Sequence, residues 1–235
     1  MRFLSEKNLL HPNQHGFRPR LGCETQLVEL LADLSRELDL GNEVDACLLD
    51  FSKAFDTVNH QKLLQKMMNI GLSQQVISWT SAFLKGRSQR VALEGSLSSP
   101  CEVTSGVPQG SVVGPVLFLI YINDLPLSTK SNVRLFADDT IVYVNTNKQH
   151  QLQDDLRNLE EWENRWDMRF NPSKCEVIRF CRKRKPVPLH PYTLHNTIIP
   201  RTDRIKYLGV NIQNNLRWDS HITAITNKAA TRAVG

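Results

Sequence analysis

The sequence predicts an α+β fold whose central elements run β-α-β-β-α-β, the split ferredoxin-like order. Three observations point there. A buried apolar run over 44–51 ends in an acid. A strand-turn-strand unit over 133–145 carries two adjacent acids at its turn. Helical segments over 113–124 and 149–168 separate these units from each other and from a further strand over 175–181. In this topology the first strand lies beside the hairpin in the middle of the sheet.

Each element has a local reason. Residues 1–22 read as a short helix followed by a Pro/Gly-rich loop, HPNQHGFRPRLG. From Thr25 to Leu40, Leu27, Leu30, Leu31, Leu34 and Leu38 recur at helical spacing. Gly41 and Asn42 stop that helix. VDACLLDF is a buried strand ending at Asp50, and SKAFDTVNH turns into a helix over roughly 60–70 that Gly71 stops. Ser73 caps another helix to about Leu84. SQRVALEG and PCEVTSG are short strands, so 60–104 is an insertion after the first strand. After the loop SGVPQGS, the apolar run of 113–124 is a buried helix with Pro115 in its first turn. VRLFA and TIVYVN form a hairpin around Asp138 and Asp139. Leu152, Leu156, Leu159, Trp162 and Trp166 share one helical stripe. CEVIRFC alternates as a strand, RKRKPVP is a basic break, IKYLGVNI reads as one last strand, and His221 starts a final helix.

Composition bounds the partners. Forty per cent hydrophobic residues suffice for a core, and a net charge of +5 leans weakly towards a polyanionic partner. The cysteines, Cys23, Cys47, Cys101, Cys175 and Cys181, are odd in number and lack a CxxC, which argues against a disulfide framework and a structural zinc. A reducing compartment is the simpler reading, and the expected location is intracellular, in the nucleus and/or cytoplasm. No apolar run reaches the roughly 18 residues of a membrane span, and the start lacks a signal-peptide core. His11 and His15 stand four apart, but Pro12 and Gly16 oppose a helix that would pair them on a metal.

If the sheet forms as predicted, Asp50 and Asp138 face each other at one edge, with Asp139 beside them. Three crowded carboxylates cannot all stay ionised without a counter-ion. Magnesium meets that need through one or two carboxylates, completing its shell with water and phosphate oxygens. Two such ions about 3.5–4 Å apart clamp an in-line phosphoryl displacement. An Asp pair in a hairpin is by itself most often an ordinary turn. Strongly apolar flanks and a further acid ending another buried strand favour a site, although spacing alone names no reaction.

The blocks QHGFRPRLGCETQL, ACLLDFSKAFDTVNH, SGVPQGSVVGPVLFLIYINDL, LFADDT, NPSKCEVIRF and KYLGV, in that order, resemble the reverse transcriptase domain of LINE-type, non-long-terminal-repeat retrotransposons. The resemblance covers nearly the whole chain. It implies a right-hand polymerase: partial fingers over 1–43, a ferredoxin-like palm over 44–200 with the 60–104 insertion, and the primer grip with the start of a truncated thumb over 201–235. It implies RNA-directed DNA polymerase activity with two Mg²⁺ ions, or Mn²⁺, on an RNA template, a DNA primer and dNTP. Asp50, Asp138 and Asp139 resemble the metal-binding aspartates, and Phe51 offers a backbone carbonyl near the second metal. Phe55 resembles the aromatic gate against a 2′-hydroxyl; without the family it reads as a plain core phenylalanine. Gln109 resembles the residue contacting the incoming nucleotide and the template. Lys174 resembles the group that protonates leaving pyrophosphate, where the plainer reading is a solvated lysine. Tyr207, Leu208 and Gly209 resemble the primer grip, and Arg18 a template-facing residue of the fingers. The run Arg179, Arg182, Lys183, Arg184, Lys185 reads either as a solvated loop or as a phosphate contact.

The departures leave activity in isolation open. Fingers strands that carry triphosphate-binding basic residues in the family are not found before QHGFR, and the thumb is short. Two rivals remain: a non-catalytic nucleic-acid-binding remnant, and a Mg²⁺-dependent nuclease using the same acids.

Overall fold

A computed structural model describes residues 1–183, 188 and 190–233. In chain order it holds helices α1 (Arg2–Glu6) and α2 (Cys23–Asp39), strand β1 (Val44–Leu49), and helices α3 (His60–Asn69) and α4 (Gln74–Leu84). Four two-residue strands follow: β2 (Ser88–Gln89), β3 (Ala92–Leu93), β4 (Ser96–Leu97) and β5 (Cys101–Glu102). Then come α5 (Gly114–Ile122), β6 (Asn132–Phe136), β7 (Asp139–Asn145), α6 (Gln149–Trp166) and β8 (Glu176–Phe180). The chain continues through β9 (Thr193–Leu194), β10 (Thr197–Ile198), β11 (Arg201–Thr202), β12 (Arg204–Tyr207), β13 (Val210–Gln213) and α7 (Asp219–Ala233). No described helix is long and apolar enough to cross a membrane.

The main sheet has the order β11-β8-β1-β7-β6. Strand β1 is central, antiparallel to β7 (Val44↔Asn145 to Leu49↔Thr140) and to β8 (Asp45↔Arg179). Strands β6 and β7 pair down to Phe136↔Asp139, which leaves Ala137 and Asp138 as a two-residue loop. Alternate residues of a strand face opposite sides, and β1 uses both. Cys47 and Leu49 join a core with Leu63, Phe118 and Leu156 from α3, α5 and α6. Val44 and Ala46 pack with Leu30 and Leu34 of α2 and with Ile205, Tyr207 and Ile212. Helix α5 is apolar all round and is buried from Leu117 through Ile122.

Two readings of the sequence are corrected. IKYLGVNI is not one strand but the β12–β13 hairpin, turned at Leu208 and Gly209 with φ of +47° and +84°. Positive φ at both loop positions is the primed turn that suits a tight hairpin. In the basic run it is Arg179 alone, among the described residues, that departs from a surface loop, since Arg182 and Lys183 are exposed. Arg179 is buried, and its guanidinium donates to the two carboxylate oxygens of Asp45 at 2.6 and 2.7 Å. Asp45 lies directly opposite it in register and also accepts the Tyr192 hydroxyl at 2.6 Å. Arg182 pairs with Asp39, and Lys183 Nζ is 3.5 Å from Glu43. Arg184 and Lys185 lie outside the described residues. The acids of α6 serve similarly: Asp155 accepts the backbone N–H groups of Lys130 and Ser131 at 2.8 Å, and Glu163 is 2.6 Å from His195 Nε2.

Candidate active site

Asp50 is the first residue past β1, and one further step of the β1–β7 register sets it opposite Asp139. Its backbone is held from the segment after α6. The Asp50 carbonyl accepts the Asn171 N–H at 2.8 Å, and Ser52 N–H donates to the Arg169 carbonyl at 2.8 Å. Phe51 bridges Phe170, their rings stacked at 4.0 Å. Asp138 sits in the β6–β7 loop and Asp139 opens β7, so the chain delivers three acids to one end of the sheet.

The Asp50 charge is felt by both of the other acids. Burial, and then repulsion from Asp50, pushes the Asp138 carboxyl above the usual carboxylate range. Asp139 is pushed up to about 6, first by burial, then by Asp138 and Asp50. One Asp50 oxygen, Oδ1, is hidden from solvent with no hydrogen-bond donor, and the Lys174 ammonium stands 3.9 Å from it. Among the described residues no three acid, His or Cys side chains close into a ready-made metal cage. An all-oxygen donor set with a carboxylate oxygen that accepts no hydrogen bond nevertheless fits a hard divalent cation, which takes few protein ligands and fills its shell with water and phosphate.

The 106–110 loop closes on the turn after β1. Val107 N–H donates to the Phe55 carbonyl at 2.8 Å, and Gln109 Nε2 donates to Asp56 at 2.9 Å. A Cβ on Gly106 would lie 2.8 Å from the Asp56 backbone, so this approach requires glycine. The half-buried Phe55 ring stacks on Phe118 at 4.1 Å and meets Phe17 edge-on at 6.2 Å. A groove of about 610 Å³ opens here, with Lys53, Asp56, Arg87 and Gln109 in its wall.

The model for reverse transcriptase (RNA-dependent DNA polymerase) matches residues 1–212. The chain belongs to the reverse transcriptase family. Over 231 residues it is 30% identical to the RNA-directed DNA polymerase from mobile element jockey of Drosophila funebris, a match covering 93% of this chain and 25% of that protein. Over 225 residues it is 30% identical to the probable RNA-directed DNA polymerase from transposon X-element of Drosophila melanogaster, covering 92% and 24%. The chain therefore spans about a quarter of the length of these curated relatives. Among solved structures it resembles telomerase from Candida tropicalis in complex with the TWJ fragment of telomeric RNA. There the TM-score is 0.64 at 12% identity, over 93% of this chain and 37% of that one. The apo enzyme truncated of its C-terminal domain gives 0.60 at 12%, over 92% and 44%. At that identity the likeness shows the fold, a right-hand polymerase of mixed α+β structure.

Other residues singled out in this reverse transcriptase domain are placed less simply. Arg18 is folded onto its own loop, donating to the carbonyls of His11 and Gln14 at 2.9 and 3.1 Å. Tyr207 is buried, its hydroxyl accepting from Gln26 at 3.2 Å. His15 Nδ1 is 2.9 Å from the Thr25 hydroxyl, while His11 Nδ1 accepts the Asn13 N–H at 3.2 Å. Gln14 and Gly16 reach the acid-bearing loop. The sequence offers them only as members of the block QHGFRPRLGCETQL, with no role attached to either.

Proposed function

We propose that this chain is the RNA-directed DNA polymerase core of a LINE-type retrotransposon, adding deoxynucleotides to a DNA primer on an RNA template. In this reading 1–43 is part of the fingers, 44–200 the palm with its 60–104 insertion, and 201–235 the primer grip and the start of the thumb. The observation that carries it is the arrival of Asp50, Asp138 and Asp139 at one end of one sheet, where burial and neighbouring acid charge raise the carboxyls of Asp138 and Asp139. The family match over 1–212 supports the same reading.

Asp50 and Asp138 would hold Mg²⁺, or Mn²⁺, with Asp139 beside them and the Phe51 carbonyl nearby. Bound divalent ions would supply an activated 3′-hydroxyl and a neutralised leaving pyrophosphate. The protein's own part is positioning. The 169–171 segment fixes Asp50, which sets the acid end of the sheet before any ligand arrives. Phe55, braced by Phe118, would lie under the sugar and reject a 2′-hydroxyl. Gln109, on the loop held to residues 55–56, would meet the nucleotide. Lys174, already at the Asp50 carboxylate, would hand a proton to the pyrophosphate oxygen as it leaves.

Asp138→Asn tests the proposal. Wild type extends a DNA primer on RNA with dNTP and Mg²⁺; the variant does not, yet binds the same primed RNA as well or better because a negative charge is gone. A variant that polymerises like wild type overturns the assignment. Wild type that binds without extending under saturating Mg²⁺ and dNTP points to the non-catalytic alternative. Cleavage of labelled RNA with Mg²⁺ and no dNTP points to a nuclease.

A further inference from the structure

The loop that carries Asp138 is unusual for its residues. A two-residue hairpin loop normally recruits glycine or asparagine where φ is positive. Here Ala137 takes φ +53°, a conformation that costs an L-residue about 1–2 kcal/mol. Something outside the hairpin has to hold it.

That something is the segment 13–16, far away in sequence. It lies along β6: His15 N–H donates to the Leu135 carbonyl at 2.9 Å, and Leu135 N–H donates to the Asn13 carbonyl at 3.0 Å. Gln14, 2% exposed, then extends the ladder with its side chain. Its Oε1 accepts the Ala137 N–H at 2.8 Å and the Gly16 N–H at 2.8 Å, and its Nε2 donates to the Ala137 carbonyl at 3.1 Å. The carboxamide thus mimics a backbone peptide unit and satisfies both polar groups of one loop residue. A Cβ on Gly16 would lie 2.2 Å from Ala137 N, so glycine is required for the approach.

We infer that Gln14 is a positioning residue for the reaction: by fixing the Ala137 peptide groups it sets the direction in which the next residue, Asp138, presents its carboxylate. This rests on the polymerase reading above. A neutral amide of this length offers, at every pH, an acceptor for two N–H groups and a donor for the carbonyl. Asparagine is one methylene too short, and an ionised glutamate has no donor.

The test uses Gln14→Met and Gln14→Glu beside Asp138→Asn. Gln14→Met keeps bulk and length but removes all three bonds. It is expected to speed hydrogen exchange at the Ala137 amide and to weaken Mn²⁺ binding, read by electron paramagnetic resonance, roughly tenfold or more. It should lower kcat roughly ten- to a hundredfold while KM for dNTP moves little. Gln14→Glu keeps the accepted bonds but donates to the Ala137 carbonyl only when protonated. Its activity relative to wild type should therefore fall as the pH is raised from mildly acidic to mildly alkaline. Wild-type Mn²⁺ affinity and turnover in Gln14→Met overturn the inference. Should that variant not fold, a Gln14→Glu ratio that does not fall with rising pH overturns it instead. An active Asp138→Asn defeats the polymerase reading, whereas an inactive Asp138→Asn beside a wild-type-like Gln14→Met defeats only this inference.

Discussion

Asp139 is the acid whose charge is hardest to hold. Burial, then Asp138 and Asp50, lifts its carboxyl from an ordinary 3.8 to about 6. In that window the folded chain keeps a proton that the unfolded chain has already lost. Ionising Asp139 therefore disfavours the fold progressively between 3.8 and about 6, and fully above it. A divalent cation competes for the same oxygens. Mn²⁺ affinity is accordingly expected to fall as the pH drops through about 6, with proton release on binding near that pH. Calorimetry in buffers of different ionisation enthalpy measures the release, and Asp139→Asn should remove most of it. Because Asp139 is exposed, solvent screens these charges and the direction of the effect is what the measurement reads. Affinity that is flat across that pH range would dissociate Asp139 from the ion site.

Among the elements, the β1–β8 pair contains the clearest structural ionic contact. Arg179 and Asp45 face each other at the middle of the sheet, both buried. Arg179→Met leaves the Asp45 charge unpaired and is expected to cost about 3–5 kcal/mol in urea unfolding. RNA affinity measured well below the melting temperature should hardly change. Unchanged stability with weakened RNA binding would return Arg179 to the phosphate-contact role first considered for it. This residue shows where pattern reading ran out. The periodicity of Leu30, Leu34 and Leu38 announced α2, and the apolar run of β1 announced a buried strand, because burial imprints its period on the sequence. A charge carries no such imprint: Arg179 belongs to a basic run in sequence and to Asp45 in space. The β12–β13 turn was hidden because Leu208 stands where asparagine or glycine would have signalled it. For the acids, two strand ends announced themselves as an anomaly, polar residues at the close of apolar runs. Gln14 had no comparable contrast with its loop.

At the scale of the whole molecule, one sheet separates two cores, and the inserted helix α3 is tied to the layer of α5 and α6 by a buried cation. Lys66 Nζ is 2.6 Å from Asp124 Oδ1 and 3.6 Å from the Trp166 ring centre, while Trp162 donates to the same Asp124 oxygen at 2.9 Å. Burial draws the Lys66 ammonium down to about 8, with Asp124 opposing. Below about 8 the cost of burying the charge is present in full. Between about 8 and 10.5 the folded state gives up its proton first, and the cost is relieved. Stability relative to Lys66→Met should therefore rise across that interval in urea titrations, and a constant difference would rule out this coupling. The borders of the sheet have a consequence of their own. One border strand, β11, is two residues long. The other, β6, has main-chain groups of Leu135 already engaged by 13–16, and its Arg134 is neutralised by Glu29 and Asp33. Crowded copies thus find little exposed main chain along which to zip into fibrils. An exposed apolar cluster remains at the tip bearing Val91, Leu93 and Leu97, so clumping during purification should yield to polar substitutions there rather than on the sheet.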